Sequence, residues 1–489
     1  MNKIIDHTKA VPSTSSKVIK SSLWGIAANG LQSILLSLFF VILAREYNKG
    51  EFATFLIANN IYQLLAAFST LGLGQWFTRE LIKTTNAQGL INKFLKVQLY
   101  SGVFFYLVNL ALAWVLYHDV TILKIAVILG VNVVFDNFIY AIRSLNIAQF
   151  RQQKTFIILL VDSAFKFIAS CILFIYPISI ITLSIVLIAF RFITLNLFIN
   201  YGTSKTVNIF QLIKHKISLE EVKKLLTQNW AFIIIGSVSI LYWRIGNTII
   251  SKMLTDADVA NYEVSYRIFS LALILPMIVS TTVFPQFVSL SKEENKLPLY
   301  QYFHKVFQLF MLYSLLSFTF MYSFAQYIIP FVFGQEYSNN VIHSIQMFLA
   351  VLVFPTVLLQ ANILVALHQE KKDMWLNIIA LVTNVILSVV GILYFKSLDG
   401  VNMAIFFSFL LFHLLQDFLL FKMGITSVFR IVKFYLIMIV VIVGYALLSK
   451  YISPLWLYPS FVMVAGLIIL NATVGFRAVA TIFKKKLVS

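Results

Sequence analysis

The sequence has little charge, little cysteine and few of the residues that break helices. Only 12% of its 489 residues are charged, one is cysteine, 18 are glycine and 9 are proline. A soluble chain of this length would need a polar surface over more than one domain, so this composition excludes a soluble globular protein. The single cysteine, Cys171, excludes an intramolecular disulfide and a cysteine-based metal site.

Apolar residues take the place of the missing charges. Hydrophobic residues make up 60% of the chain, and the mean hydropathy is +0.88. Apolar runs of about 20 residues, each long enough to cross the hydrocarbon core, recur from Ser21 almost to the C-terminus. They predict an all-α polytopic membrane protein of about 14 transmembrane helices, with spans at Thr155–Tyr176, Ile178–Asn200 and Val428–Leu448 among them.

The basic residues predict the orientation of these helices. The net charge is +19, but the Lys and Arg residues are spread over many short loops, which is typical of membrane topology and not of a nucleic-acid surface. When alternate loops are assigned to the cytoplasm, most of the 38 basic residues fall there. Loops on the opposite side hold Arg45, Lys49, Lys124, Lys252, Lys396 and Lys450. Both termini are therefore expected in the cytoplasm, and no nucleic-acid partner is expected.

The loops also predict the domain organisation. We expect a cytoplasmic tail over 1–20, a first lobe over 21–200, a cytoplasmic amphipathic linker over 201–228, a second lobe over 229–421, two further spans over 428–475 and a basic tail over 476–489. Glycan polymerases and ligases need a sizeable extramembrane loop, and none is present. Short loops favour a transporter, so we predict no catalytic residue, no cofactor and no metal site.

Two segments of the chain resemble each other. The segment from Arg45 to Phe55 matches the segment from Lys252 to Tyr262, with Glu51 aligned on Asp258. Each is predicted to be a turn that opens an apolar helix outside the cytoplasm. Such a repeat is typical of transporters with two lobes related by an axis along the membrane normal. A chance similarity between two membrane hairpins is the alternative.

Three motifs resemble a known family. They are AREYNKGEF at Ala44–Phe52, STLGLGQW at Ser69–Trp76 and DADVANYEVSYR at Asp256–Arg267. Together with the span number and loop rhythm, they resemble the Wzx-type polysaccharide (O-antigen) flippases. These belong to a superfamily that also holds the lipid II flippases and the multidrug and toxin extruders.

The resemblance implies two six-helix lobes around a central cavity, with two extra C-terminal helices. It also implies a multi-pass protein of the bacterial inner membrane that acts in lipopolysaccharide or related polysaccharide biosynthesis. The implied substrate is an undecaprenyl-pyrophosphate-linked oligosaccharide. Its implied partners are the lipid bilayer and other glycan-assembly membrane proteins.

Ionisable residues at membrane depth are the candidate functional residues, because they normally face a cavity or a partner. In the first lobe these are Asp136, Asp162, Lys166 and Arg191. Asp162 and Lys166 lie four residues apart, a spacing that favours an ion pair on one helical face. The alternative is a pair that only neutralises itself between helices. Arg191 lies too deep in its span to reach the interface easily.

The second lobe offers a different set. Arg244 could contact substrate or reach the outer interface, and Glu263 with Arg267 forms a predicted surface or gating ion pair. Asp417 lies near the cytoplasmic end of its span. There, contact with water beside a loop explains a charged residue as well as a function does. Glu263, Arg267 and Asp417 are assigned charge-balancing or coupling roles.

The buried cations indicate an anionic substrate. A pyrophosphate crossing hydrocarbon needs fixed positive groups in place of water, and arginine donates paired hydrogen bonds to phosphate. We therefore predict a cationic lining of Lys166, Arg191 and Arg244, balanced by Asp136 and Asp162. A cation-coupled drug antiporter, the nearest alternative, would need a carboxylate-dominated cavity. A scaffold would leave the buried charges unexplained.

Overall fold

The computed structural model describes residues 15–84, 86–149, 151–203 and 217–467, and the predicted tail over 476–489 lies outside them. Helices and their connections account for all of the described residues. By its contacts the chain divides into two compact units, Met1–Arg244 and Ile245–Ser489. Each unit is described by itself below.

The first unit is built from eight helices and most of a ninth. They are α1 (Ser15–Glu46), α2 (Lys49–Ser69), α3 (Gly74–Lys83), α4 (Ala87–Leu116), α5 (Val120–Gly130), α6 (Asn132–Ala148), α7 (Gln152–Cys171), α8 (Ile180–Leu197) and α9 (Leu219–Met253), whose last turns belong to the second unit. Helix α1 packs on α7, α2 on α5, α4 on α6, and α7 on α8.

The second unit continues with α10 (Asp256–Ser291), α11 (Leu297–Phe333), α12 (Val341–Phe348), α13 (Phe354–Ala366), α14 (Glu370–Phe395), α15 (Leu398–Lys422), α16 (Val428–Leu448) and α17 (Pro454–Leu467). Helix α14 packs along α15, and α10 contacts α12 and α13. A 3₁₀ turn at Leu349–Leu352 separates α12 from α13, and Pro355 stands in the first turn of α13. Proline is tolerated there because the first turn has no intrahelical partner for its nitrogen.

The prediction of an all-α polytopic membrane protein is confirmed. Eleven helical segments of the described chain are long and apolar enough to cross a membrane. Four of these segments combine shorter pieces, such as α5 with α6. Helices α1 and α9 and the shorter apolar helix α17 are further helices of the described chain, which is consistent with the about 14 membrane helices expected from the sequence.

The predicted amphipathic segment does not form a separate linker helix in the part of 201–228 that is described. Residues 204–216 lie outside the described residues, and α9 runs without a break from Leu219 to Met253. The charges at its start, Glu220 and Glu221, occupy the first helical turn, where carboxylates interact favourably with the helix dipole.

The two similar segments found in the sequence share a local structure. Asn48 caps α2 and accepts a hydrogen bond from the backbone N–H of Glu51 at 2.9 Å. Thr255 caps α10 in the same way, with Asp258 completing a capping box. In both segments the aligned positions are the N-cap residue and an acidic residue at the third helical position. The sequence similarity therefore reflects the same way of starting a helix.

Candidate functional site

A buried ion pair lies on α7. Lys166 Nζ contacts Asp162 Oδ2 at 2.8 Å, and the Asp162 side chain is only 3% exposed. Thr194 on α8 donates a hydrogen bond to the other carboxylate oxygen, Oδ1, at 2.9 Å. The four-residue spacing predicted this pair, and the structure contains it.

Arg191 joins three helices. From α8 its Nη1 reaches Asp162 Oδ2 on α7 at 3.0 Å. Its Nε donates a hydrogen bond to Asp136 Oδ1 on α6 at 2.9 Å, and its Nη2 contacts the same oxygen. One guanidinium therefore bridges two carboxylates that lie on different helices. The sequence nominated Asp136 and Arg191 separately but could not pair them.

These four residues taken alone carry no net charge. Two cations, Lys166 and Arg191, face two carboxylates, Asp136 and Asp162. A buried charge is costly unless it is paired and hydrogen-bonded, and here each one is paired. Such a network would hold α6, α7 and α8 together even without a ligand.

Arg143 changes this balance, and sequence reasoning missed it. It was not among the predicted site residues, and α6, which continues to Ala148, places Arg143 inside the helix. It lies two turns from Asp136 and is electrostatically coupled to both Asp136 and Arg191. Its seven-residue spacing from Asp136, which returns to the same helical face, was the available signal.

The Arg143 side chain is exposed, although the surrounding protein partly desolvates its guanidinium. Among the residues that the structure describes, it makes no ion pair or side-chain hydrogen bond. It is thus an accessible cation beside a neutralised network, about 8 Å from the end of α6. With it, the group holds three cations and two carboxylates.

Tyr62 on α2 adds a phenol to the same region. Its hydroxyl is coupled electrostatically to Asp136, Arg191, Asp162 and Arg244. We use the name first-unit charge cluster for six residues: Tyr62, Asp136, Arg143, Asp162, Lys166 and Arg191. Arg244, the third predicted lining cation, lies on α9, is half-buried and interacts with further groups of its own.

The predicted pair of Glu263 and Arg267 forms on α10, but it is not a surface pair. Glu263 is 1% exposed and Arg267 is 11% exposed. Asn247 on α9 donates a hydrogen bond to Glu263 Oε2 at 3.1 Å. The interpretation as a surface pair was wrong because neighbouring helices cover this turn of α10.

Asp417 on α15 is also buried, so the interpretation as solvated loop chemistry was wrong. Gln360 Nε2 donates to its Oδ1 at 2.6 Å, and the Tyr435 hydroxyl donates to its Oδ2 at 3.1 Å. The His413 ring lies 3.1 Å from Oδ2. Lys422 Nζ, at the end of the same helix, lies over the Phe418 ring at 4.4 Å.

Metal binding finds no support in the described part of the chain. No group of three or more His, Cys, Asp or Glu residues is arranged there to hold a metal ion. The clusters above are organised by ion pairs and hydrogen bonds.

The helices and their buried charges define the class: a polytopic α-helical membrane protein with the fold of transporters. The chain belongs to the family described as polysaccharide biosynthesis protein, whose model matches residues 42–342. The resemblance to polysaccharide flippases is thereby confirmed at the level of family and fold. Among curated proteins, no sequence matches the chain.

Solved structures share the fold across most of the chain. The lipid II flippase MurJ, in an inward closed conformation, has a TM-score of 0.70 and 15% identity, covering 96% of this chain and 100% of MurJ. An inward-facing multidrug resistance MATE family transporter of the MOP superfamily has a TM-score of 0.69 and 14% identity, covering 81% and 94%. A MOP superfamily transporter from Pyrococcus furiosus has a TM-score of 0.57 and 14% identity, covering 83% and 95%.

Proposed function

We propose that this chain is a flippase that moves an undecaprenyl-pyrophosphate-linked oligosaccharide, an O-antigen unit or a related repeat, from the cytoplasmic to the periplasmic leaflet by alternating access. It would act in the bacterial inner membrane with both termini in the cytoplasm, beside other glycan-assembly membrane proteins. The polysaccharide biosynthesis family and the fold shared with MurJ support this substrate class.

The observation that carries the proposal is the first-unit charge cluster, with Arg143 at its accessible edge. A pyrophosphate in a low-dielectric surrounding needs fixed donors, and guanidinium groups supply paired ones. Arg143 forms no ion pair with a carboxylate of the described chain, so it can bind phosphate without first giving up a partner. We therefore assign it the first contact with the headgroup. Arg191 and Lys166 would follow, with Arg244 as a further cation.

The two carboxylates hold the cations in place before the ligand arrives. Asp136 and Asp162 form ion pairs with Arg191, and Asp162 also pairs with Lys166. A pyrophosphate would compete with them for the same donors. Because the carboxylates regain the cations when the ligand leaves, such an exchange permits release as well as binding. The ion pairs of Asp162 and Asp136 support the charge-balancing role that we propose for them.

The experiment that tests this proposal compares Arg143→Gln with Arg151→Gln. Arg151 is an exposed arginine at the start of α7 and serves as the matched control. Each variant is scored for the leaflet distribution of the lipid-linked intermediate and for surface glycan. We expect Arg143→Gln to lose at least tenfold in flipping while its thermal unfolding midpoint stays at the wild-type value, because Arg143 has no ion pair to lose. Wild-type flipping by a well-expressed Arg143→Gln protein would contradict the proposal.

A second variant separates substrate binding from helix packing. Asp136→Asn combined with Arg191→Gln removes a cation and its carboxylate together and keeps the network neutral. If Arg191 only packs helices, the double variant should recover both stability and flipping relative to Arg191→Gln. We expect stability to recover and flipping to stay low. Recovery of flipping would remove Arg191 from the proposed site.

A further inference from the structure

A basic cavity lies at one end of the helices in the second unit. It has a volume of about 520 Å³ and is formed by the first turns of α11 and the connection from α15 to α16. Its lining includes Tyr300, His304, Lys305, Ser427 and Arg430. His304 Nε2 donates a hydrogen bond to the Ile425 carbonyl at 2.9 Å, which ties the two walls together. None of these residues belongs to the proposed transport site.

The charge of this cavity is not compensated. Lys305 and Arg430 are both exposed, and neither forms an ion pair with any residue that the structure describes. The cavity lining, which lies wholly within the described ranges, contains no acidic side chain. Two permanent positive charges on opposite walls therefore face one small volume. This differs from the first-unit charge cluster, where carboxylates hold most of the cations.

The position of the cavity along its helices corresponds to the headgroup region of a bilayer. Helix α11 has 37 residues, which gives about 55 Å at 1.5 Å per residue, whereas the hydrocarbon core is about 30 Å thick. The first turns of α11, which line the cavity, therefore extend beyond the hydrocarbon. The sequence assigns this end to the cytoplasmic side.

Exposed apolar side chains flank the cations. Leu297 at the start of α11 is 56% exposed, and Val428 and Phe429 at the start of α16 are 57% and 75% exposed. A free phosphate would make no use of these groups. A molecule with an anionic head and an apolar chain would contact both the cations and the flanking side chains.

We propose that this cavity binds the headgroup of an anionic phospholipid. Lys305 and Arg430 would contact the phosphodiester, and the hydroxyls of Ser427 and Tyr300 would donate to its oxygens. The acyl chains would run along Val428 and Phe429. Basic pockets between helices at the cytoplasmic face are suited to anionic headgroups for this electrostatic reason.

The test is a lipid titration of the purified full-length protein. Phosphatidylglycerol and phosphatidylcholine are added separately to delipidated protein in detergent, and binding is followed by native mass spectrometry and by the unfolding midpoint. We expect phosphatidylglycerol to bind more tightly than phosphatidylcholine. Lys305→Gln and Arg430→Gln should each weaken its apparent Kd about fivefold, and the double variant about 25-fold. Lys433→Gln, an exposed lysine on α16 outside the cavity, is the matched control and should bind as wild type.

Two other results would overturn the proposal. If the double variant retains wild-type affinity for phosphatidylglycerol, the cavity is not the lipid site. If glycerol 1-phosphate competes with phosphatidylglycerol at equal concentration, the site recognises a soluble phosphate and the acyl contacts contribute nothing. The Arg430→Gln protein should flip normally, so the outcome is independent of the proposed transport site.

Discussion

The two units bury charge in different ways. In the first unit, Asp162 lies between two permanent cations, Lys166 and Arg191. In the second unit, Asp417 lies among Gln360 and Tyr435, which are neutral donors, and His413, which is charged only when protonated. The first unit therefore compensates its buried carboxylate with cations, and the second unit does so mainly with neutral hydrogen-bond donors.

The second unit also contains an ion pair that resembles the first-unit network in composition but not in layout. Glu263 and Arg267 pair on one helix, with Asn247 as the neighbouring donor. Arg191, in contrast, connects three helices. Removal of one charged partner should consequently disturb the packing of more helices in the first unit than in the second.

The largest effect is expected from Asp162→Ala. This change leaves the partly buried Lys166 without its carboxylate and removes one of the two carboxylates of Arg191, so we expect a cost of about 3–5 kcal/mol. Thermal unfolding in detergent and the yield of folded protein measure it. Glu294→Ala, an exposed carboxylate in the α10–α11 connection, is the control and should stay within about 0.5 kcal/mol of wild type.

A smaller effect is expected from Asp417→Asn. Asparagine keeps one acceptor oxygen, for Gln360 or for Tyr435, and places an NH2 group opposite the other donor, so we expect a cost of about 1.5–3 kcal/mol. The same unfolding measurement on Asp162→Asn provides the comparison. If Asp417→Asn costs as much as Asp162→Asn, the contrast between the units fails.

The two helix caps should respond equally. Asn48→Ala and Thr255→Ala each remove a side-chain acceptor at a helix N-terminus, so each should cost about 1 kcal/mol. Asn48→Asp and Thr255→Ser keep the acceptor and should restore most of the stability. A clear inequality between the alanine variants would show that the repeated segments are not equivalent in structure.

The smallest effect is expected at the surface. Lys93 and Glu221 form an ion pair at 2.9 Å with side chains that are 27% and 47% exposed. Solvent screening limits such a pair to about 0–1 kcal/mol, so Lys93→Gln should barely move the unfolding midpoint. A loss comparable to that of Asp417→Asn would mean that this contact is shielded from water.

Much of the fold was readable from the sequence because each span meets the same local requirement. The segment Val428–Leu448 was predicted with the bounds that α16 has. The breaks inside spans were not predicted, since the change from α5 to α6 at Val131 and the 3₁₀ turn at Leu349–Leu352 interrupt runs that remain apolar throughout. Hydropathy is insensitive to such a change in helix geometry.

The candidate site was predictable only where partners share a helix. The pair of Asp162 and Lys166 follows from a spacing of four residues, which fixes their distance on one face. Arg143 was not among the predicted site residues because a charge near the end of a span was counted with the loops. Asp417 was misread for the same reason, although neighbouring helices cover it.

The sequence by itself determined that this chain is a membrane protein with about 14 helices and a small set of charged residues inside them. It could do so because hydrophobicity and residue spacing are local properties. Only the tertiary structure decided which charges meet. Arg191 reaches Asp136 and Asp162 because α6, α7 and α8 pack against one another. Arg143 forms no ion pair with a carboxylate of the described chain, although Asp136 lies two turns away on the same helix. Pairing depends on side-chain directions across helices, which residue spacing does not encode.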